Sequence, residues 1–118
     1  MALITVFILH RGCHPVAATI DPDDATLARL VGGTPATLTA DGLEAVVAAE
    51  REHDPAAPRR VVSLGGDIVA LPGTAVVMGP EHTSLPARRL GDIYAALDRP
   101  LSVVTDGERV FTIPIVRA

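Results

Sequence analysis

The sequence predicts a single small α+β domain, in which a mostly antiparallel or mixed sheet of hairpins carries two short helices. The length of 118 residues fits one domain with one hydrophobic core. Hydrophobic residues make up 48 % of the chain, and many of them occur in short β-favouring runs separated by turn residues. We therefore expect residues 1–118 to form one unit, with a C-terminal helix and hairpin at residues 86–118 packed on the same core.

The N-terminal segment predicts a hairpin followed by a helix. Residues 3–9 and 16–20 are β-favouring apolar runs, and Arg11-Gly12 supplies a polar break between them. The Asp-Pro-Asp run at residues 21–23 suits a helix start, because Asp accepts hydrogen bonds from free backbone N–H groups and Pro tolerates the first turn. Gly32-Gly33 then ends the helix, because glycine readily adopts the left-handed conformation of a C-terminal cap.

Residues 35–54 admit two interpretations. Asp41 with Glu44 resembles a capping box, and the apolar residues that follow have helical spacing. Against a helix, Asp41-Gly42 between residues 36–39 and 43–50 is a strong hairpin-turn signal, and alternate residues of the second run fall on one face. We favour the hairpin, with a helix over residues 43–53 as the alternative.

The remainder of the chain continues the pattern of strands and turns. Residues 50–60 are charged and interrupted by Pro55 and Pro58, which predicts an exposed and mobile loop. Beyond that loop we predict two strands, one helix and a terminal hairpin, at residues 61–64, 75–78, 86–97, and 101–105 with 109–116.

Composition argues against several classes of function. The net charge is −4 and the only aromatic residues are Phe7, Tyr94 and Phe111, so neither a basic groove nor a stacking platform for nucleic acid is indicated. Cys13 is the only cysteine, which rules out an internal disulfide and fits a reducing compartment. The apolar start of the chain is too short for a signal peptide or a membrane span. We therefore expect a cytoplasmic protein with no membrane partner.

The chain contains no Lys, Asn or Gln, and every basic residue apart from histidine is Arg. Such a skew indicates a GC-rich coding sequence. A high-GC bacterial host is the expected source.

Residues suited to catalysis or metal binding are few. The densest set is His10, Cys13 and His14, and three ligands without a recognisable fourth are too few for a structural zinc site. Cys13 beside His14 also suggests a nucleophile with its base, but adjacent residues on a strand point to opposite faces. We therefore predict no catalytic residue, no metal site and no cofactor, and expect that the protein is not an enzyme.

Paired arginines and paired glycines are the best candidates for ligand binding. Guanidinium groups bind oxyanions in a two-pronged geometry, so the arginine pairs could grip a nucleotide or phosphorylated ligand. The glycine pair follows Ser63-Leu64 and could cradle a phosphate with backbone N–H groups, although the run lacks the lysine of a P-loop. The predicted ligand-binding residues are Arg59, Arg60, Gly65, Gly66, Arg88 and Arg89. Solvated surface arginines are the alternative.

The order of these elements resembles an uncharacterised family, domain of unknown function 3846. The resemblance covers roughly residues 3–79 and is carried by the two opening strands, the helix ending in Val31-Gly32-Gly33, the Asp41-Gly42 hairpin, Arg59-Arg60, and Gly73-Thr74-Ala75-Val76-Val77. Thr34-Pro35 stands where an aromatic residue commonly follows the glycine pair in the family, and Pro58 stands where an Asn is usual. The resemblance implies a phage or mobile-element context and no assigned activity.

Two functional hypotheses follow. In the first, the chain is a phage or prophage accessory protein that acts by non-enzymatic binding, modulating a host protein or a defence process. We expect it to form a homodimer in which the β-rich terminal segments pair edge to edge across a two-fold axis. In the alternative, it sequesters a nucleotide-like small ligand through the arginine pairs and glycine turns. Nucleic acid is not expected as a partner.

Overall fold

The computed structural model describes residues 3–10, 13–40, 42–54, 56, 59–64 and 67–98, together with the backbone of residues 101–106 and 109–114. The strands in these residues are β1 Ile4–Leu9, β2 Val16–Ile20, β3 Pro35–Ala40, β4 Leu43–Ala48, β5 Arg59–Leu64, β6 Asp67–Pro72, β7 Ala75–Met78, β8 Leu101–Asp106 and β9 Arg109–Pro114. The helices are α1 Asp24–Val31, α2 Ala49–Glu52 and α3 Leu90–Asp98, with single 3-10 turns at Pro80–His82 and Ala87–Arg89. The chain is a single α+β domain, as predicted.

Two antiparallel sheets form the scaffold. The larger sheet has the strand order β2-β1-β7-β4-β3, and the smaller one has the order β6-β5-β8-β9. Every neighbouring pair in both sheets is antiparallel. Because β7 inserts between β1 and β4, the two N-terminal hairpins share one sheet, and β2 and β3 lie at its opposite edges.

The larger sheet is buried on both faces. On one face Leu27 and Val31 of α1 pack against Ile4, Val6, Ile8, Val46, Ala48, Val76 and Met78 of the sheet. On the other face, side chains of β1, β4 and β7 pack against β5, β6 and α3; among them are Phe7, Leu9, Ala45, Val47, Val62, Leu64, Leu71, Val77, Ile93 and Leu97. Burial on both faces explains why β1, β4 and β7 are nearly continuous apolar runs, interrupted only by Thr5 and Glu44, instead of alternating ones.

The termini of α1 follow the predicted capping pattern. The Asp23 Oδ1 atom accepts a hydrogen bond from the Thr26 N–H at 2.7 Å. At the other end Gly32 adopts a left-handed conformation with φ 75°, and its N–H donates to the Ala28 carbonyl at 2.9 Å. The predicted helix start and stop are both confirmed.

The hairpin interpretation is confirmed over residues 35–48, and the alternative of a helix over residues 43–53 is wrong for residues 43–48, which form a strand; only Ala49–Glu52 are helical. Strands β3 and β4 pair from Pro35 opposite Ala48 to Ala40 opposite Leu43. Gly42 has φ 76°, a conformation that glycine tolerates without a steric cost in a tight turn. Asp41 lies outside the described residues.

The structure differs from the prediction in three segments after the second hairpin. The one-turn helix α2, Ala49–Glu52, occupies the end of the predicted second strand and the start of the segment predicted as a loop over residues 50–60, and β5 starts at the last two residues of that segment. Strand β6 was not predicted, because its first residues are exposed and its ends are Asp67 and Pro72. The helix predicted over residues 86–97 begins as a 3-10 turn and continues as α3 to Asp98. The predicted C-terminal hairpin is present as β8 and β9, and Leu101 of β8 pairs with Val61.

Candidate binding surface

Arg60, predicted to bind a ligand, is engaged inside the fold. One guanidinium nitrogen, Nη1, donates to the His10 carbonyl at 3.0 Å and the Cys13 carbonyl at 2.6 Å. The other, Nη2, donates to the Leu97 carbonyl at 3.2 Å. The side chain therefore joins β5 to the β1–β2 connection and to the C-terminal end of α3, where a cation also complements the helix dipole. These bonds give Arg60 a structural role.

Of the other predicted arginines, Arg59 precedes Arg60 on β5, and Arg88 and Arg89 lie on the 3-10 turn before α3. The Arg59 Nη2 atom donates to the Glu52 carbonyl at 2.7 Å and approaches the Asp54 carbonyl at 3.5 Å, so it ties down the connection after α2. Arg88 and Arg89 are exposed on the 3-10 turn before α3. Gly65 and Gly66 lie outside the described residues. The geometry thus offers no specific support for a nucleotide site built from both arginine pairs.

Of the set His10, Cys13 and His14, the two histidines contact different residues. His14 Nδ1 lies 2.5 Å from Asp98 Oδ1 on α3, and His10 Nδ1 lies 3.4 Å from Thr74 Oγ1. Cys13 is exposed, and its carbonyl is one of the acceptors of Arg60. Within the described residues, no group of three or more His, Cys, Asp or Glu side chains is arranged to hold a metal ion.

The sequence did not indicate the contact between Glu44 and His82, which lies beside a turn with left-handed backbone. Glu44 Oε1 accepts hydrogen bonds from the His82 N–H at 2.8 Å and lies 3.0 Å from His82 Nδ1. Glu81 and His82 have φ values of 56° and 59°, which are uncommon for residues other than glycine. Glu44 compensates part of that cost by holding the turn from β4. Only the capping-box interpretation of Glu44 drew attention to it in the sequence.

Helix α2 anchors two turns of the chain. Both carboxylate oxygens of Glu50 accept the Thr34 N–H, each at 3.0 Å. A Cβ atom on Gly33 would lie 2.2 Å from Glu50 Oε2, and one on Gly73 would lie 2.6 Å from Arg51 Nη1. The two glycines therefore provide the room that these side chains occupy. A shallow cleft of about 670 Å³ beside Glu50 is lined by Asp24, Ala25, Ala28, Gly33, Thr34, Pro35 and Glu50.

Among the residues that the structure describes, none pairs with the outer edge of β2, so this strand presents open backbone hydrogen-bonding groups at one edge of the larger sheet. The Thr5 N–H donates to Ser84 Oγ at 3.0 Å, and the Thr5 carbonyl accepts from the Leu85 N–H at 3.0 Å. Thr5 lies opposite Thr19, so its backbone groups point away from β2, and this is a non-hydrogen-bonded pair of the β1–β2 ladder. It follows that the N–H and C=O groups of Thr19, and of Ala17 two residues earlier, point outward.

The edge of β2 lacks the features that commonly protect an open strand. Its sequence, VAATI, carries no charge, no proline and no glycine. Ala17 and Thr19 are both exposed. Charged side chains, prolines and bulges are the usual means of preventing an edge from pairing with another chain. Strand β3 differs, because Pro35 occupies an outward position on it: the Thr34 carbonyl, one residue away, accepts the Ala49 N–H and so faces β4.

Several exposed apolar side chains lie along the same hairpin, on both faces of the sheet. Among the described residues, the large hydrophobic side chains that are substantially exposed are Leu3 at 64 %, Val16 at 50 %, Ile68 at 54 % and Tyr94 at 38 %. Val16 belongs to β2, and Leu3 directly precedes β1. Tyr94 stacks edge-on against Phe7, at 5.8 Å between ring centroids, and Phe7 pairs with Ala17. Three of these four side chains therefore lie at or beside the β1–β2 hairpin.

Comparison with known proteins does not assign the chain to a family. Within the described residues, no helix is both long enough and apolar enough to cross a membrane. No protein-family model matches the sequence, and no curated protein or solved structure matches it significantly.

Proposed function

We propose that this protein is a non-enzymatic binding protein that recognises a polypeptide partner by adding a strand of that partner to β2. The observation that carries the proposal is the outward-pointing backbone of Ala17 and Thr19 in an uncharged strand. An extended peptide can satisfy these N–H and C=O groups with its own backbone, which is the mode called β-augmentation.

The surroundings of the edge supply a second component of recognition. In β-augmentation, backbone hydrogen bonds contribute affinity, while pockets or apolar patches for alternate side chains contribute specificity. Val16 lies on the α1 face of the sheet, because it pairs with Ile8. Ala17 lies on the opposite face, together with Phe7 and Tyr94. A bound strand would therefore place its alternate side chains against exposed apolar groups on both faces.

The expected accessory role is consistent with such a surface. The resemblance to a phage-associated family supports a host protein as the partner, and strand addition requires only an extended segment of that protein. The acidic net charge of −4 disfavours a polyanionic partner. The arginine geometry described above gives a nucleotide ligand less support than a polypeptide.

The proposal is tested by selecting a displayed library of random short peptides on immobilised protein at low surface density. We expect the wild type to enrich peptides whose binding is lost in Ala17→Pro, which removes an outward N–H and places a ring where the peptide backbone would lie. Thr37→Pro is the matched control, because it makes the same change at an outward position of β3. Enriched peptides that bind Ala17→Pro as tightly as the wild type would contradict the proposal, as would a failure to enrich any peptide.

A further inference from the structure

We infer that the strand that occupies the β2 edge in the isolated protein is β2 of a second copy of this chain. The inference rests on the proposed function, since it names a partner for the same edge. The two copies would be related by a two-fold axis and would join their five-stranded sheets into one continuous sheet.

The outward groups of β2 determine the register of this pairing. Outward residues must face outward residues, so Ala17 can lie opposite Ala17 or Thr19 of the second copy, or Thr19 opposite itself. A two-fold axis at Ala17 would set Thr19 opposite Pro15, which has no N–H to donate. An axis at Thr19 would set Ala17 opposite the acidic Asp21. The axis at Ala18 leaves both residues beyond the ends of β2, opposite each other, and pairs Ala17 with Thr19 twice, forming about four backbone hydrogen bonds.

The side chains of β2 are also compatible with a two-fold axis at Ala18. The small methyl group of Ala18 lies opposite its own copy, at a non-hydrogen-bonded pair, where opposing side chains approach most closely. Val16, 50 % exposed, lies opposite Ile20 of the second copy on the α1 face, which removes apolar surface from water.

Charge favours a second copy as well. The chain has 14 carboxylates, yet β2 carries none, so two copies of an acidic protein can meet there without placing like charges opposite each other. The antiparallel pairing also sets Asp21, just beyond the end of one β2, opposite Pro15 of the second copy and not opposite another carboxylate.

Cysteine cross-linking tests both the dimer and its register. In a Cys13→Ser background, Ala18→Cys places two thiols at an antiparallel non-hydrogen-bonded pair, where Cα atoms are about 4.5 Å apart. That separation is within the range of about 4.4 to 6.8 Å that disulfides span. Ala17→Cys in the same background is the matched control, because its own copy is a diagonal neighbour at about 7 to 8 Å. On a non-reducing denaturing gel after mild oxidation, we expect the Ala18→Cys protein to run as a disulfide-linked dimer and the Ala17→Cys protein to run mainly as the single chain.

Light scattering after size-exclusion chromatography provides the second measurement. We expect the wild type and Thr37→Pro to elute as dimers and Ala17→Pro as a folded monomer, with folding checked by circular dichroism. Equal cross-linking of the two cysteine variants, or none of Ala18→Cys, would overturn the inference whatever the proline variants do. A wild type that is monomeric at all concentrations, yet binds selected peptides through Ala17, would overturn the dimer and leave the proposed function standing.

Discussion

The carboxylate of Glu50 holds the backbone N–H of Thr34 with both of its oxygens, at 3.0 Å each. Hydrogen bonding from the Thr34 side chain, with further hydrogen bonds from the backbone N–H groups of Glu50 and Thr34, lowers the pKa of Glu50 from its ordinary value of 4.5. This contact ties the start of β3 to α2 across 16 residues of sequence.

The lowered pKa of Glu50 predicts a loss of stability in acid. A carboxyl group with a lower pKa in the folded state contributes stability that is fully present above its unfolded pKa of about 4.5 and is lost as the pH falls through the folded value. We expect the Tm of the wild type to fall more steeply between about pH 6 and about pH 3 than the Tm of Glu50→Gln. Asp23, whose pKa is lowered by its hydrogen bonds with Thr26, keeps some acid dependence in the variant.

Glu52→Gln is the control for that experiment, because Glu52 lies on the same helical turn and its carboxylate makes no hydrogen bond within the described residues. Its Tm profile is expected to follow the wild type. Equal slopes for Glu50→Gln and the wild type would contradict the assigned role of Glu50.

Glu50 and Ala48 leave no space for a side chain at Gly33, so we expect substitution of this glycine to destabilise the fold. A Cβ atom there would lie 2.2 Å from Glu50 Oε2 and 2.9 Å from Ala48 Cβ, and the second contact cannot be relieved by rotating a side chain. We expect Gly33→Ala to lower the free energy of unfolding by about 1 to 3 kcal/mol in chemical denaturation.

Gly91→Ala provides the comparison, since a Cβ atom on Gly91 in α3 would meet nothing within 4 Å. Alanine is favoured over glycine inside a helix by about 1 kcal/mol, so this variant should be more stable than the wild type. Destabilisation of similar size in both variants would show that the contact with Ala48 is not the cause.

The three carbonyl contacts of Arg60 predict that its guanidinium is required for stability. Arg60→Met keeps much of the apolar stem but leaves the carbonyls of His10, Cys13 and Leu97 without this donor. We expect a loss of about 2 kcal/mol in the free energy of unfolding, measured by urea titration. Arg88→Met, on an exposed residue, should change it by less than about 0.5 kcal/mol. If both substitutions had the same small effect, the structural role of Arg60 would be wrong.

The sequence was sufficient for the local features of this fold. Asp23 and Gly32 mark the ends of α1, and Gly42 marks a hairpin turn, because capping and turn geometry depend on a few neighbouring residues. It was not sufficient for α2, a single turn without a periodic pattern, which is held by the contact of Glu50 with Thr34.

The candidate surface was harder to predict than the fold. Exposed strand edges were expected, but which strand is the edge depends on β7, which enters the sheet beside β1 from more than 50 residues further along the chain. The arginine pairs were selected because Arg binds oxyanions, but Arg60 uses the same donors for carbonyl oxygens of distant residues. Such acceptors cannot be identified from residue type or spacing.

Amide hydrogen exchange, resolved by residue, tests the importance of the β2 edge most directly. We expect the N–H groups of Ala17 and Thr19 to exchange rapidly in dilute protein and to become protected when the protein is concentrated or a selected peptide is added. The N–H groups of Val16, Ala18 and Ile20, which face β1, should stay protected throughout. Exchange rates at Ala17 and Thr19 that do not change with protein concentration or with added peptide would contradict the proposal that β2 is the binding edge.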